Sequence, residues 1–342
     1  MMQQKRIMEL KMNRIHKDNI PEDQPQTSND GIDRRNFLGC MAWAGTGLLW
    51  TLAGGVPTSK LLAEGTKSNP STSAKVGDFS FVQISDSHIG FNKDANPDVT
   101  GTLQTAIDRI NAVPAAMKQP DFLIHTGDIT QNSEASEFDT ASEIIKATRV
   151  SEVFYVPGEH DFSLDDGQLY KQRFGKGTVG NGWYSYRHKG VHFIGLNNCV
   201  QVDAMGNLGA DQLAWLKSDL AGLSASTPIV IFAHIPLWMV YEKWGWGTND
   251  GQQALAMLRR FGSVTVLNGH IHQVVQKVEG NVVFHTAMAT AFPQPAPGTA
   301  PHPGPMTVPA GRLQSVLGVT QVKVVRGSNQ LAVVDHSLAE GA

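Results

Sequence analysis

Five short blocks concentrate carboxylates and imidazoles: Asp86-Ser87-His88, Gly127-Asp128, Gly158-Glu159-His160-Asp161, His234-Ile235-Pro236 and Gly269-His270-Ile271-His272. These side chains are metal donors. A D-x-H or H-x-H pair beside a tight turn turns both groups toward one ion. Mixed nitrogen and oxygen donors suit borderline metals such as Zn, Mn, Fe or Ni rather than Ca or Mg alone. Asp86, His88, Asp128, Glu159, His234, His270 and His272 are too many for one tetrahedral ion, so two ions sharing a carboxylate is the economical arrangement. A metal pair about 3.5–4 Å apart suits phosphate ester hydrolysis, because it lowers the pKa of a shared water and clamps the attacking and leaving oxygens. Each block alone is a weak signal. Five in this order, each after an expected strand, are a strong one.

The elements that must position these blocks alternate. Apolar runs predict strands at Phe79–Ile84, Phe122–His125, Val153–Val156, Ile229–Ala233 and Val264–Leu267, and each runs into one of the five blocks. Crevices beyond the carboxyl ends of strands are where open α/β sheets bind ligands. Glycines at 127, 158 and 269 allow the sharp backbone turns there. Helical periodicity falls on Val99–Val113 (stripe Leu103, Ile107, Ile110), Glu134–Thr148, Asp211–Leu223 and Gly251–Phe261. Hairpins are expected for Trp183–Arg187 with Val191–Leu196, Val274–Val278 with Val282–His285, and Gln321–Val325 with Leu331–Val334. Helices dominate the first half and hairpins the second, which argues for an α/β protein with mixed sheets. No repeat is visible.

The 342 residues carry 28 basic and 31 acidic groups, which excludes a strongly basic nucleic-acid platform. Their 41 % hydrophobic content excludes disorder for the bulk of the chain. Two cysteines, Cys40 and Cys199, make no disulfide framework. The first 66 residues read as an address: a polar segment, the pair Arg34-Arg35, then an uncharged run from Cys40 to Thr58. This is the order of a twin-arginine signal peptide. Gly45, Gly47, Gly54 and Gly55 make the run less apolar than a spanning helix, so no stable membrane anchor is expected. Cleavage is placed between Ala53 and Gly65, after Ala63, and would remove Cys40 with the signal. Residues 1–66 are thus signal peptide and linker and 75–340 the folded domain. The expected location is periplasmic or extracytoplasmic, reached folded through the twin-arginine export machinery.

The ordered set D-x-H, G-D, G-[N/E]-H-D, an isolated His and G-H-x-H resembles the calcineurin-like metallophosphoesterase family, over about Phe79 to Val334. The resemblance implies a four-layer α/β/β/α sandwich of two mixed sheets. It implies hydrolysis of phosphate mono- or diesters at a dinuclear centre by a hydroxide shared between two divalent or mixed-valence transition metal ions (Fe, Mn or Zn). Asp86, His88 and His272 would hold the first ion, Asp128 would bridge, and Glu159, His234 and His270 would hold the second. His160 would assist the leaving oxygen, with Asp161 orienting it.

The family's usual residue at position 159 is asparagine, and Glu159 departs from it. Two divalent ions minus two carboxylates leave about +2 on the site, and a third carboxylate leaves about +1. Three readings stay open: preference for a singly charged diester, a phosphatase using a harder ion such as Fe(III), or displacement of phosphate chemistry altogether. A hydrolase of non-phosphate esters and a catalytically silent periplasmic metal- or partner-binding module are the rivals; nucleic acid is not an expected partner.

Other polar and aromatic residues receive structural readings. His125 is expected in the core or beside a ligand, and His285 has an outer-shell alternative. His188, His192, His302 and His336 are read as solvated or structural. Asn197 and Asn198 end a strand and face either the cleft or a turn. Cys199 is expected to be buried. Trp238, Tyr241, Trp244 and Trp246 follow His234 in a glycine-containing loop, as an apolar satellite cluster or as an aromatic wall over the metals. The proline-rich Phe292–Pro309 stretch is either another rim of the site or, the preferred reading, a solvated excursion.

Overall fold

In the computed structural model the described residues are 48–53, 56–61, 76–112, 119–200, 205–325, 328 and 330–339. The chain divides between Asn69 and Pro70. In the first unit, β1 (Leu48–Ala53) pairs antiparallel with β2 (Val56–Leu61). The arginine pair and Cys40 lie outside the described residues. No helix among the described residues is long and apolar enough to cross a membrane.

The second unit contains two mixed sheets. Five strands run in the order β13 (Ala332–Ser337), β12 (Gly318–Val324), β3 (Phe79–Ile84), β4 (Leu123–His125), β5 (Val153–Tyr155). Six run in the order β10 (Gln276–Glu279), β11 (Val282–Thr286), β9 (Val264–Asn268), β8 (Ile229–Phe232), β7 (Val191–Gly195), β6 (Tyr184–His188). In the six-stranded sheet the parallel strands β7-β8-β9-β11 lie between antiparallel edges, whereas in the five-stranded sheet the parallel strands β3-β4-β5 reach one edge and antiparallel β12 and β13 the other.

Period-two alternation explains the layering. In β8, Val230 and Phe232 join the cluster between the sheets, while Ile229 and Ile231 face the opposite way into a second cluster. In β3, Phe79 and Phe81 point between the sheets and Val82 and Ile84 point outward. The central layer is aromatic: Phe193 meets Phe81 edge-on at 5.4 Å and Phe122 at 5.3 Å. Three helices cover the outer face of the five-stranded sheet: α1 (Val99–Asn111), α2 (Ala135–Ile145) and α3 (Gln168–Phe174). Two cover the other, α4 (Ala210–Ala221) and α5 (Gly251–Leu258). The expected stripes are the buried ones, Leu103, Ile107 and Ile110 in α1 and Leu213, Leu216 and Leu220 in α4. The result is the four-layer α/β/β/α sandwich.

One helix escapes the periodicity. α3 has seven residues, too few to establish a repeat, and depends on Asp165, whose carboxylate accepts from the amides of Gln168 and Leu169 at 3.1 and 2.8 Å. Helix ends elsewhere fall short of the expected bounds by up to three residues, as with α5, which stops at Leu258 rather than Phe261.

Candidate metal centre

Strand register brings the five blocks to one edge. Ile84 pairs with His125 and His125 with Tyr155, so β3, β4 and β5 end level. Phe232 pairs with Leu267 in the other sheet. The loops then continue the ladder: Asp86 donates its amide to Gly127 O, His88 to Asp128 O and Gly269 to His234 O, each at 3.0 Å. Asp86, His88, Asp128, His270 and His272 all adopt left-handed backbone, with φ between 41° and 69°. Each such residue costs about 1–2 kcal/mol, and strain of this kind collects where geometry serves function.

The glycines beside them act differently from one another. Gly127 has φ 95° and makes the expected turn. Gly158 has φ −102°, which any residue adopts; its role is space, because a Cβ there would sit 2.0 Å from Asp128 Oδ1. A Cβ on Gly269 would sit 1.9 Å from Ser85 Oγ and 2.6 Å from Asp86 Oδ2.

All seven candidate ligands converge in two triads with a carboxylate between them. Asp86, His88 and His272 form one: His272 Nε2 lies 3.2 Å from Asp86 Oδ1 and 3.3 Å from His88 Nε2. Glu159, His234 and His270 form the other, with Glu159 Oε2 3.0 Å from His234 Nε2 and Oε1 2.9 Å from His270 Nδ1. Asp128 Oδ2 lies 3.5 Å from His88 Nε2 and 3.2 Å from His234 Nε2, so it faces both.

Their outer bonds show that this set fits cations. His272 Nδ1 faces the Phe292 carbonyl at 2.5 Å, and His234 Nδ1 faces the Thr126 carbonyl at 2.7 Å. A carbonyl only accepts, so each Nδ1 carries a proton and Nε2 is the nitrogen left to face an ion, as a lone pair once any proton there is displaced. His88 is held the same way, Nδ1 to the Gln131 amide oxygen at 3.1 Å. Lone pairs of His88 and His272 therefore face each other beside the Asp86 carboxylate, acceptors without a donor. His234 Nε2 is buried and has no hydrogen-bond partner. A cation in each triad resolves both conflicts.

Electrostatics without an ion agree. Burial would raise Asp86, but His272, His234 and His88 hold it below the ordinary carboxylate range. Glu159 is likewise held well down by His270 and His234 against burial. Burial drives His88 down to about 3 and keeps it neutral. His234 is buried too, yet Asp128 and Glu159 raise it well above 6.5, so cation binding there displaces a proton.

His160 sits at the edge of this cluster, its ring 4.8 Å from that of His88. The expectation that Asp161 orients it is corrected. The Asp161 carboxylate accepts from the amides of Ile129, Thr130 and Gly158 and from Thr130 Oγ1, at 2.9–3.2 Å, and so clamps the Asp128 loop to the 158–161 turn. The group holding His160 is Gln131, whose carbonyl accepts from Nδ1 at 2.7 Å and leaves Nε2 as the available nitrogen. Burial would lower His160, but Asp128 and Glu159 raise it. Gln131 was missed in the sequence. It lies three residues beyond Asp128, and a lone glutamine has no spacing signature.

An open cavity of ≈ 510 Å³ lies over the cluster, with His88, Asp128, Glu159, His160, His270 and His272 along its floor. Lys93, Gln294, Gly304 and Pro305, exposed or half-buried, form its mouth, and the buried Phe91 and Phe292 complete the lining. The proline-rich stretch is therefore a wall of the site rather than a solvated excursion. Phe292 packs its ring 4.8 Å from both His88 and His272, and Gln294 donates to the His270 carbonyl at 2.9 Å. The tryptophan loop forms no part of this lining; Trp238 packs at 4.6 Å on Phe284 in the outer core, the satellite alternative.

The remaining polar residues are structural. His125 Nε2 donates to Ser87 Oγ at 2.8 Å while its Nδ1 accepts from the Gly127 amide, which supports the turn below Asp128. His285 bonds Asp335 at 2.9 Å, His188 bonds Asp121 at 2.7 Å and His192 bonds Asp219 at 2.6 Å. His302 is exposed and His336 lies on β13. Asn197 and Asn198 donate to the carbonyls of Asn181 and Ile235 rather than lining the cavity. Cys199 is buried, with Sγ 4.0 Å from Glu159 Oε2.

A model of the calcineurin-like phosphoesterase family matches residues 79–274. A probable glycerophosphodiester phosphodiesterase of Arcobacter nitrofigilis is 27 % identical over 224 residues, 60 % of this chain and 76 % of that relative. A probable cyclic nucleotide phosphodiesterase of Fibrobacter succinogenes is 29 % identical over 161 residues, 45 % of this chain and 56 % of its own length. In fold, the chain is similar to a dimetal phosphatase of Danio rerio, with a TM-score of 0.53 at 16 % identity, covering 76 % of this chain and 99 % of that one.

Proposed function

The chain belongs to the calcineurin-like phosphoesterases, and we propose on that premise that it hydrolyses small phosphodiesters outside the cytoplasm with two metal ions bound. The observation that carries the diester reading is Glu159, whose carboxylate oxygens lie 3.0 Å from His234 Nε2 and 2.9 Å from His270 Nδ1. With Asp86 and Asp128 it makes three carboxylates, so two divalent ions leave a net charge of about +1, matched to a singly charged diester rather than a dianionic monoester. The names of the two curated relatives point the same way.

Asp86, His88 and His272 would hold one ion and Glu159, His234 and His270 the other, with Asp128 shared. When bound, the pair supplies Lewis acidity at the phosphoryl oxygens and a water reactive at neutral pH. The chain's own contribution is positional and protic. Gln131 fixes Nδ1 of His160 as the donor to its carbonyl. Nε2 then handles the proton that the departing alkoxide needs; burial lowers the proton affinity of His160, and Asp128 and Glu159 raise it. Phe292 and Thr126 hold the planes of His272 and His234 through their carbonyls.

Elemental analysis with paired assays tests this. We expect two transition metal ions per chain and faster release of p-nitrophenol from bis(p-nitrophenyl) phosphate than from p-nitrophenyl phosphate. A monoester preference, or metal without any turnover, refutes it. Export is carried by Arg34-Arg35. Replacing both by lysine should retain the precursor inside the cell, and unchanged export would overturn that part.

A further inference from the structure

The floor of the cavity is rich in charge and its mouth is nearly devoid of it. Among the described lining residues Lys93 is the sole lysine or arginine. It is exposed, lies between Phe91 and the turn at Asn96, and its ammonium forms no ion pair among the described residues. Gln294 is occupied, donating to the His270 carbonyl and accepting from the Gly304 amide at 3.0 Å. Phe91 and Pro305, both apolar, line the same cavity as Lys93.

Charge matching then separates two ends of a substrate. A diester phosphate at about −1 cancels a floor of about +1, so a second negative charge finds no partner at the floor. It finds one at Lys93, while a cationic end is repelled there. We propose that Lys93 determines specificity, favouring phosphodiesters whose alcohol arm ends in an anionic group over those ending in a quaternary ammonium. This rests on the phosphodiesterase reading.

Three p-nitrophenyl diesters test it, with a carboxyalkyl, an ethyl or a choline arm, on protein of verified metal content. The wild type should order kcat/KM as carboxyalkyl, ethyl, choline, with about three- to fivefold between neighbours, the size of one exposed charge pair. The spread should shrink at 0.5 M salt, fall within twofold in Lys93→Gln and reverse in Lys93→Glu. A non-hydrolysable phosphonate with the carboxyalkyl arm should bind the wild type about fivefold more tightly than Lys93→Gln by calorimetry, independently of turnover. Equal kcat/KM for the three arms, or an order unchanged in Lys93→Gln, overturns the inference alone. No release from any of the diesters overturns it together with the phosphodiesterase reading.

Discussion

The floor and the mouth of the cavity are built by opposite means. The floor hangs from the level ends of parallel strands in both sheets, and five of its seven candidate ligands hold left-handed backbone. The mouth comes from the loop at Phe91–Lys93 and a segment with prolines at 293, 295, 297, 301, 303, 305 and 309. Backbone placement is over-determined in the first by ladder bonds, glycine space and side-chain clamps. In the second, proline limits the chain with few cross-ties, chiefly Gln294 and Gln273, which donates to the Gln294 and Pro295 carbonyls. Substitutions at the floor should therefore abolish function, and substitutions at the mouth should redirect it.

The largest effect is expected from His234→Ala, which removes a ligand shared by the Glu159 triad and the Asp86–Asp128 pair. Loss of activity should exceed the roughly 100-fold reached by outer-partner substitutions, with the metal content measured by elemental analysis falling as well. Retention of two ions would break the contrast at its base. Next is Gly158→Ala. Its Cβ meets Asp128 Oδ1 at 2.0 Å, so the Asp128 loop must move. Metal affinity should fall at least tenfold, and a melting curve should show destabilisation of roughly 1–3 kcal/mol.

Gln131→Ala should cost about 10–100-fold in metal affinity or kcat, because it frees Nδ1 of His88. The carbonyl that holds His160 remains, so the proton-transfer limb of the pH profile should stay in place. At the mouth, Pro305→Ala should move KM for bulky diesters by less than about tenfold with kcat and metal content unchanged. An equal loss of kcat would place Pro305 with the floor. The smallest effect lies at the other end of the strands, where Asp219 accepts from Ser185 and His192 at 2.6 Å. Although burial opposes it, these bonds lower the Asp219 pKa below its ordinary 3.8. Its contribution is present above that value and lost as the pH falls through the lowered one. Asp219→Asn should remove about 1 kcal/mol or less at pH 6, measured by urea unfolding, and progressively less as the pH falls through the lowered value.

The floor was legible in the sequence because its residues are local signals, each block beginning within a few residues of a strand's end. The mouth was not. Phe292 serves through its carbonyl oxygen and its ring, and nothing in a proline-rich stretch marks which carbonyl meets an imidazole. The tryptophan loop looked the better wall because aromatics follow His234 directly, but burial of Trp238 against Phe284 decided otherwise. Asp161 looked like the orienting group for its neighbour His160, yet adjacent residues on a tight turn point apart, and its carboxylate turns back to three amides.

Alternation of apolar residues, strand-end donors and turn glycines determined that two mixed sheets would bring carboxylates and imidazoles to one edge, because those patterns act over a few residues. Which nitrogen of each imidazole faces the cluster, which residue holds His160, and what lines the entrance were decided only by folding. Those choices depend on atoms contributed from positions as far apart as 272 and 292, or 131 and 160, and no short-range preference encodes their meeting.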